Sequence, residues 1–322
     1  MSAIKRLDLS LQEIEKANSE YSHNQTQTQD IFGFKWSKRD TYESDAVKKA
    51  GAAWLIERYF DNNREKMLSF LNDNGKRKLI LDAGCGSGYS ALLLFGDELK
   101  KHDYLGVDIS DAVREGKERF QELGIEADFI KASLMDMHFI PDESIDIIFS
   151  EGVLHHTDST ERAIEYLSHK IKKGGFMMFY VYLKKSVIRE FTDDYIREQL
   201  LSYGNEEAWE KLIPLTKLGK TLGELNIEID VEEDIDLLGI KKGKLDLQRF
   251  FYWNICKAFY KPEYSIDEMN HLNFDWFRPL NCHRQTPEQV SEWCEKSGLQ
   301  IVHKNIQEAG ITVIAQKIKS SI

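Results

Sequence analysis

Residues Leu79-Ile80-Leu81-Asp82-Ala83-Gly84-Cys85-Gly86-Ser87-Gly88 pass from an apolar run to a carboxylate and then into alternating glycines. An apolar run that stops at glycine predicts a buried strand. Beyond Ala83 the backbone must turn sharply and stay open enough for a ligand to lie against it. Glycine alone supplies that freedom without a Cβ in the way. The helix predicted next, Tyr89 to Phe95, aims its N-terminal N–H groups at the same spot. The competing reading is a tight strand–helix turn that holds nothing.

Outward from this turn the chain alternates strand and helix. Strands are predicted at 78–83, 103–109, 128–132, 145–150 and 175–182, and amphipathic helices between them argue for a parallel sheet covered on both faces. A helix at 159–172 starts from Asp158 to Glu161 and is expected to end at Gly174-Gly175. Thr286-Pro287-Glu288-Gln289 is a capping box with proline at the first helical position. Leu299 to Val302 and Ile311 to Gln316 then make two strands close enough for an antiparallel hairpin. Residues 184–283, between the fifth strand and that last helix, are too long for an ordinary α/β connection and predict an inserted subdomain.

On the N-terminal side two helices are expected, one with Ala46, Ala50, Ala53, Trp54 and Tyr59, the next with Met67, Leu68 and Leu71. Ser10-Leu-Gln-Glu13 reads as a capping box, with Leu11, Ile14 and Ala17 at helical spacing after it. The polar stretch from Ser22 to Asp30 reads as a mobile linker. The aromatic and basic cluster from Ile31 to Tyr42 follows no clear period.

The glycines are spaced G-x-G-x-G rather than the G-x-G-x-x-G of dinucleotide enzymes. With the leading Asp82-Ala-Gly-Cys-Gly and a second strand ending in Asp108, they resemble the first motifs of class I S-adenosylmethionine-dependent methyltransferases. The resemblance covers 78–182 and 286–317. It implies an α/β fold: a Rossmann-like, seven-stranded, mostly parallel sheet with an antiparallel last strand and helices on both faces, here with a mainly helical inserted subdomain. The domains would be a 1–77 helical or lid segment, a core at 78–183 and 284–322, and a substrate-capping insertion at 184–283.

The resemblance also assigns roles. S-adenosylmethionine would be the cofactor, with Gly84, Gly86 and Gly88 beside its methionine part and Asp82 near its amino group. Asp108 would accept the ribose hydroxyls, with Ile109 next to it. Ser133 and Leu134 stand where the family places its adenine contact, usually an acid, and Asp136 is the substitute if the hydroxyl is too weak an acceptor. Glu151 would line the cofactor or substrate pocket or take part in catalysis. His156, or less readily His155, would be a general base; the alternative is a loop leading into a capped helix. Trp36 and Arg39 would close over the cofactor as a lid. In the insertion, Arg189, Tyr252, Trp276 and Arg278 would hold an acceptor, unless its aromatic stripes are plain core.

Composition bounds the function. The chain has 322 residues, 42% hydrophobic and 30% charged, with a net charge of −11. That balance is globular, and its sign argues against a large nucleic-acid footprint. The scattered cysteines lack a C-x-x-C pair, which speaks against disulfides and a metal site. No window approaches the ~20 apolar residues of a membrane span and no leader is evident, so a cytoplasmic setting is expected. The resulting expectation is O- or N-methylation of a small-molecule or metabolite acceptor. The alternatives are a tRNA- or protein-modifying methyltransferase and a non-catalytic S-adenosylmethionine-binding relative.

Overall fold

A computed structural model describes residues 2–10, 12, 14 and 21–318. The capping box expected at Ser10 rests on Leu11, Glu13 and Ala17, which lie outside the described residues. The strands are β1 (Leu79–Ala83), β2 (Asp103–Asp108), β3 (Ala127–Lys131), β4 (Ile145–Glu151), β5 (Ile171–Tyr182), a separate pair β6 (Glu228–Val231) and β7 (Gly243–Asp246), then β8 (Leu299–Ile306) and β9 (Gly310–Lys317). The helices up to the first strands are α1 (Ala3–Leu7), α2 (His23–Ser37), α3 (Asp45–Phe60) and α4 (Arg64–Asn72). Between and after them come α5 (Tyr89–Phe95), α6 (Val113–Glu122), α7 (Thr160–Lys170), α8 (Val187–Gln199), α9 (Asn205–Glu224), α10 (Leu247–Asn254), α11 (Ile266–Phe277) and α12 (Pro287–Lys296).

Seven strands form one sheet in the order β3-β2-β1-β4-β5-β9-β8. The first five run parallel and β9 runs antiparallel to both its neighbours. This is the architecture expected from the sequence. Strand periodicity divides the core: Leu79 and Leu81 of β1 join the cluster under α7 and α12, while Ile80 joins the cluster under α3, α4 and α5. Each such side chain, fully buried, contributes about 1.5–3 kcal/mol. Both predicted caps close as hydrogen bonds, Ser159 accepting from Arg162 N–H and Thr286 from Gln289 N–H.

Two local expectations are corrected. Residues 23–30 are not a linker but the first half of α2. The residues α2 buries are Gln25, Thr28, Ile31 and Lys35, a helically spaced stripe that is mostly polar, so hydrophobic periodicity could not reveal it. Secondly, α7 ends at Lys170 and β5 begins at once at Ile171, with Gly174-Gly175 inside the strand. The register against β4 jumps from Ile145–Ile171 to Ile147–Phe176, and Gly174 takes φ +83° to absorb the extra residues.

Opposite ends of the sheet receive different N-terminal helices. At the amino ends α1 is held by Arg6, whose guanidinium meets Asp103 at 2.7 Å and Asp146 at 3.1 Å, and by Ser2, which donates to Asp128 at 2.6 Å. At the carboxyl ends lies α2, described below.

By its contacts the chain divides into two compact units. The first holds the described residues up to Ser37, Lys49–Leu183 and those from His283 onward; the second holds Lys38–Lys48 and Lys184–Cys282. The second unit has its own polar core. Thr216 of α9 donates to Asn270 at 2.7 Å and accepts from Asn273 at 2.8 Å, both on α11. Its segment 38–48 docks there through Thr41, 2.8 Å from His271 Nδ1.

Candidate functional site

β1 and β2 are in register, Ala83 beside Val107, so their carboxyl ends deliver the glycine turn and Asp108 to one place. Gly84 and Cys85 N–H groups both donate to Val107 O, at 2.7 and 3.0 Å, and fold the turn back over β2. Gly84, Gly86 and Gly88 take φ of +82°, +50° and +70°, the left-handed region that glycine enters without strain. Gly86 N–H donates to Asp108 Oδ2 at 2.8 Å. The other oxygen, Oδ1, accepts from Ser110 N–H and Oγ at 2.8 and 2.6 Å. Burial raises the Asp108 carboxyl above its usual range, against the pull of these bonds. Deeper in, Asp82 accepts from the Tyr104 hydroxyl at 2.6 Å. Burial pushes Asp82 up to about 7 against that bond, with the charges of Asp108 and Glu151 adding to the rise.

α2 lies across this edge. A Cβ at Gly86 would sit 2.5 Å from Trp36 Nε1, which places the indole directly on the turn. Gly33, a turn earlier, faces Ser110. Phe32 packs 5.0 Å from the His156 ring, Gln25 donates to His156 O at 2.9 Å, and Ser22 donates to Asp158 at 2.9 Å. Lys35 is buried with its ammonium 4.3 Å from the Trp36 ring centroid, and its charge counters the rise at Asp108. α2 therefore spans from the β4 loop to the turn. In its polar stripe Gln25 meets a loop carbonyl, Lys35 acts on the Asp108 carboxylate, and Thr28 donates back to Asn24 O of the same helix at 2.9 Å.

The remaining expected residues fall as follows. Ile109 follows Asp108 directly. Ala132 N–H donates to Asp108 O at 2.9 Å, which sets Ser133 and Leu134 just past β3 beside β2. Ser133 Oγ accepts from Met135 N–H at 3.2 Å and Ser133 O from Asp136 N–H at 3.0 Å. The β4 loop touches the turn through Val153, whose Cγ1 would lie 2.2 Å from a Cβ on Gly84. His155 and His156 follow in a buried 3-10 turn, and His155 stacks on Tyr182 at 3.7 Å.

Glu151 ends β4 within a buried ionic network. Its Oε1 meets Arg58 Nη2 and its Oε2 accepts from the Tyr59 hydroxyl at 2.7 Å. Arg58 also donates to Thr312 at 3.0 Å and lies between the rings of Trp54 and Tyr180. Arg39 is in the second unit, paired with Glu43 at 2.8 Å. There Arg189 and Trp276 both meet Asp193, at 3.0 and 2.7 Å, and the Arg189 guanidinium lies 4.8 Å from the Tyr252 centroid. Arg278 donates to Tyr203 O at 2.8 Å.

Reading the sequence missed Tyr104, Arg58, Tyr59, Gln25 and Lys35. For Arg58 a signal existed: it shares the buried stripe of α3 with Leu55 and Tyr59, where an arginine requires a buried carboxylate partner.

Chemically, the edge suits a ligand with a vicinal diol and a polar tail. Asp108 keeps a spare lone pair on Oδ2, while Oδ1 is engaged twice by Ser110, and Ser87 Oγ in the turn is buried with no hydrogen-bond partner among the described residues. These residues fit the ribose and methionine parts of S-adenosylmethionine.

Comparison with known proteins places this edge in a family. Residues 81–179 match the family model described as a methyltransferase domain. A probable S-adenosylmethionine-dependent methyltransferase of Saccharomyces cerevisiae is 26% identical over 167 residues, 44% of this chain and 56% of the relative. The tRNA U34 carboxymethyltransferase of Glaesserella parasuis is 32% identical over 103 residues, 31% of each chain. Magnesium protoporphyrin IX methyltransferase from Synechocystis, solved with S-adenosylhomocysteine, aligns over 91% of this chain and 99% of its own at 14% identity and a TM-score of 0.48. The matches span between 26% and 62% of the curated relatives' lengths. Residues 81–179, which carry the glycine turn, Asp108 and Glu151, thus match a methyltransferase domain.

Proposed function

We propose that the chain transfers the methyl group of S-adenosylmethionine to an oxygen or nitrogen of a small-molecule acceptor. The observation that carries this reading is Asp108, whose Oδ2 accepts from Gly86 N–H and whose Oδ1 accepts twice from Ser110, which holds the carboxylate against the glycine turn at the end of β2. In this reading Asp108 accepts the two ribose hydroxyls, one on the open lone pair of Oδ2 and one on Oδ1 in place of the Ser110 hydroxyl, which favours a free diol over a 2′-phosphate. Gly84, Gly86 and Gly88 leave room for the methionine part, and Asp82 supports its amino group. Ser133 and Leu134 border the adenine.

Bound S-adenosylmethionine supplies an electrophilic methyl on a sulfonium; the chain's work is to hold an acceptor in line with it and keep water out. Trp36 on α2 covers the turn for that purpose. An acceptor carboxylate needs no base, whereas a hydroxyl would pass its proton to His156. Glu151 is consigned to anchoring α3 through Arg58 and Tyr59 rather than to proton transfer. In the second unit Arg189, Tyr252 and Trp276 are assigned to the acceptor.

One relative's name favours a second reading, modification of tRNA. The net charge of −11 weighs against it. The test is transfer of labelled methyl from S-adenosylmethionine to a panel of small acids, alcohols and amines, run beside bulk tRNA. Label on a small compound supports the proposal, and label on tRNA alone overturns it.

A further inference from the structure

Three cationic side chains gather around the indole of Trp276 within the second unit. Lys257 Nζ, the Arg189 guanidinium carbon and Lys185 Nζ lie 5.0, 5.1 and 5.7 Å from the ring centroid. Tyr252 and Trp253 complete the wall: Arg189 lies 4.8 Å from the first ring and Lys185 5.5 Å from the second. Arg189, Lys257, Tyr252 and Trp276 are buried, whereas Lys185 and Trp253 reach partly into solvent.

The buried carboxylate among them, Asp193, is committed. Its Oδ2 accepts from Arg189 Nε at 3.0 Å and Trp276 Nε1 at 2.7 Å, and its Oδ1 accepts from Lys257 N–H at 3.2 Å. Glu190 and Asp275 bear on the lysines from half-buried positions, Glu190 accepting Lys185 N–H at 2.7 Å. Arg189 Nη1 remains buried with no hydrogen-bond partner among the described residues. A buried guanidinium N–H left unmade is costly and calls for an acceptor. Burial also drives the Lys257 ammonium down to about 8, with Asp275 opposing the fall more than Arg189 adds to it. It drives Lys185 well below its ordinary value, with Arg189 and Lys257 adding to the fall and Glu190 and Asp193 opposing it. Three carboxylates thus face three cations, and the demand left open is the hydrogen bond of Arg189 Nη1.

We propose that this cluster binds the carboxylate of a small planar organic acid, with Arg189 Nη1 and the Lys257 ammonium as its partners and Tyr252, Trp253 and Trp276 as walls for the flat body. As the acceptor of methyl transfer such an acid deepens the function proposed above and rests on it; as an anion site the cluster stands without it. Aromatic faces and cations together select a flat anion over either a neutral ring or a bare inorganic ion.

The test is calorimetric titration of the full-length protein with 2-naphthoate, 2-naphthamide and inorganic phosphate, with S-adenosylhomocysteine titrated into the same preparations. Naphthoate should bind at least about 10-fold more tightly than the amide or phosphate. Lys257→Gln should weaken naphthoate about 10-fold or more and leave S-adenosylhomocysteine within about twofold. That substitution removes a desolvated charge, so the fold should survive it; Lys185→Gln, at the half-exposed rim, gives a second and milder variant with a smaller loss. Equal binding of acid and amide, tighter binding of phosphate than naphthoate, absence of naphthoate binding, or an unaffected Lys257→Gln would each overturn the site. Loss of S-adenosylhomocysteine binding alone, with naphthoate intact, would sink the methyltransferase reading and leave the acid site standing.

Discussion

Asp82 titrates near neutrality in the folded chain because it is buried beside two other carboxylates, despite the bond from Tyr104. Its folded value of about 7 lies above the ordinary 3.8, so the folded state keeps a proton that the unfolded chain releases. Folding stability from this group should therefore fall as pH rises from about 4 to about 7 and level off above. Urea unfolding at pH 5 and pH 8 should show a loss of about 2–3 kcal/mol in the wild type that Asp82→Asn does not share. Equal losses in both proteins would show that Asp82 does not hold the proton. Arg58 makes a second residue-scale prediction. Arg58→Met strands the Glu151 carboxylate in a buried position and should cost about 3–5 kcal/mol in urea unfolding, most of it restored by adding Glu151→Leu. Asp82 and Asp108 were legible in the sequence because the glycines beside them announce a strand end. Tyr104 and Arg58 were not, since each reaches its carboxylate only through the fold: Tyr104 stands 22 residues from Asp82 and Arg58 93 from Glu151.

Among the elements, the strands and their intervening helices followed from apolar runs, caps and glycine stops, and most of them lie where those signals put them. α2 did not, because three of the four residues it buries, Gln25, Thr28 and Lys35, are polar, and a polar stripe leaves no hydrophobic period to read. The same cause makes α2 important to the account. Trp36 covers the turn, so Trp36→Ala should weaken S-adenosylhomocysteine by about 10-fold in calorimetry while urea unfolding changes little. Unchanged affinity would relieve α2 of any covering role. At the far end of the chain, Thr286→Ala breaks a capping box seen in both sequence and structure and should cost about 1 kcal/mol in the same unfolding assay.

For the whole molecule, the long stretch after β5 was legible as a separate body from its length and its own aromatics. The attachment of Lys38–Lys48 to that unit was not, because the contact of Thr41 with His271 joins residues 230 positions apart. The cation cluster around Trp276 was likewise hidden, because Lys185, Arg189 and Lys257 reach that ring from distant parts of the chain. The net charge of −11 acts at this scale too. It predicts that filter retention of bulk tRNA at physiological salt should be negligible, and strong retention that falls steeply with salt would restore the tRNA reading. The central claim remains that the glycine turn and Asp108 bind S-adenosylmethionine, and calorimetric titration with S-adenosylmethionine and S-adenosylhomocysteine tests it most directly. Both should bind the wild type, and Asp108→Asn or Asp108→Ala, folded by circular dichroism, should bind them at least about 10-fold more weakly. A wild type that binds neither, or a variant that binds as well as the wild type, would contradict the account.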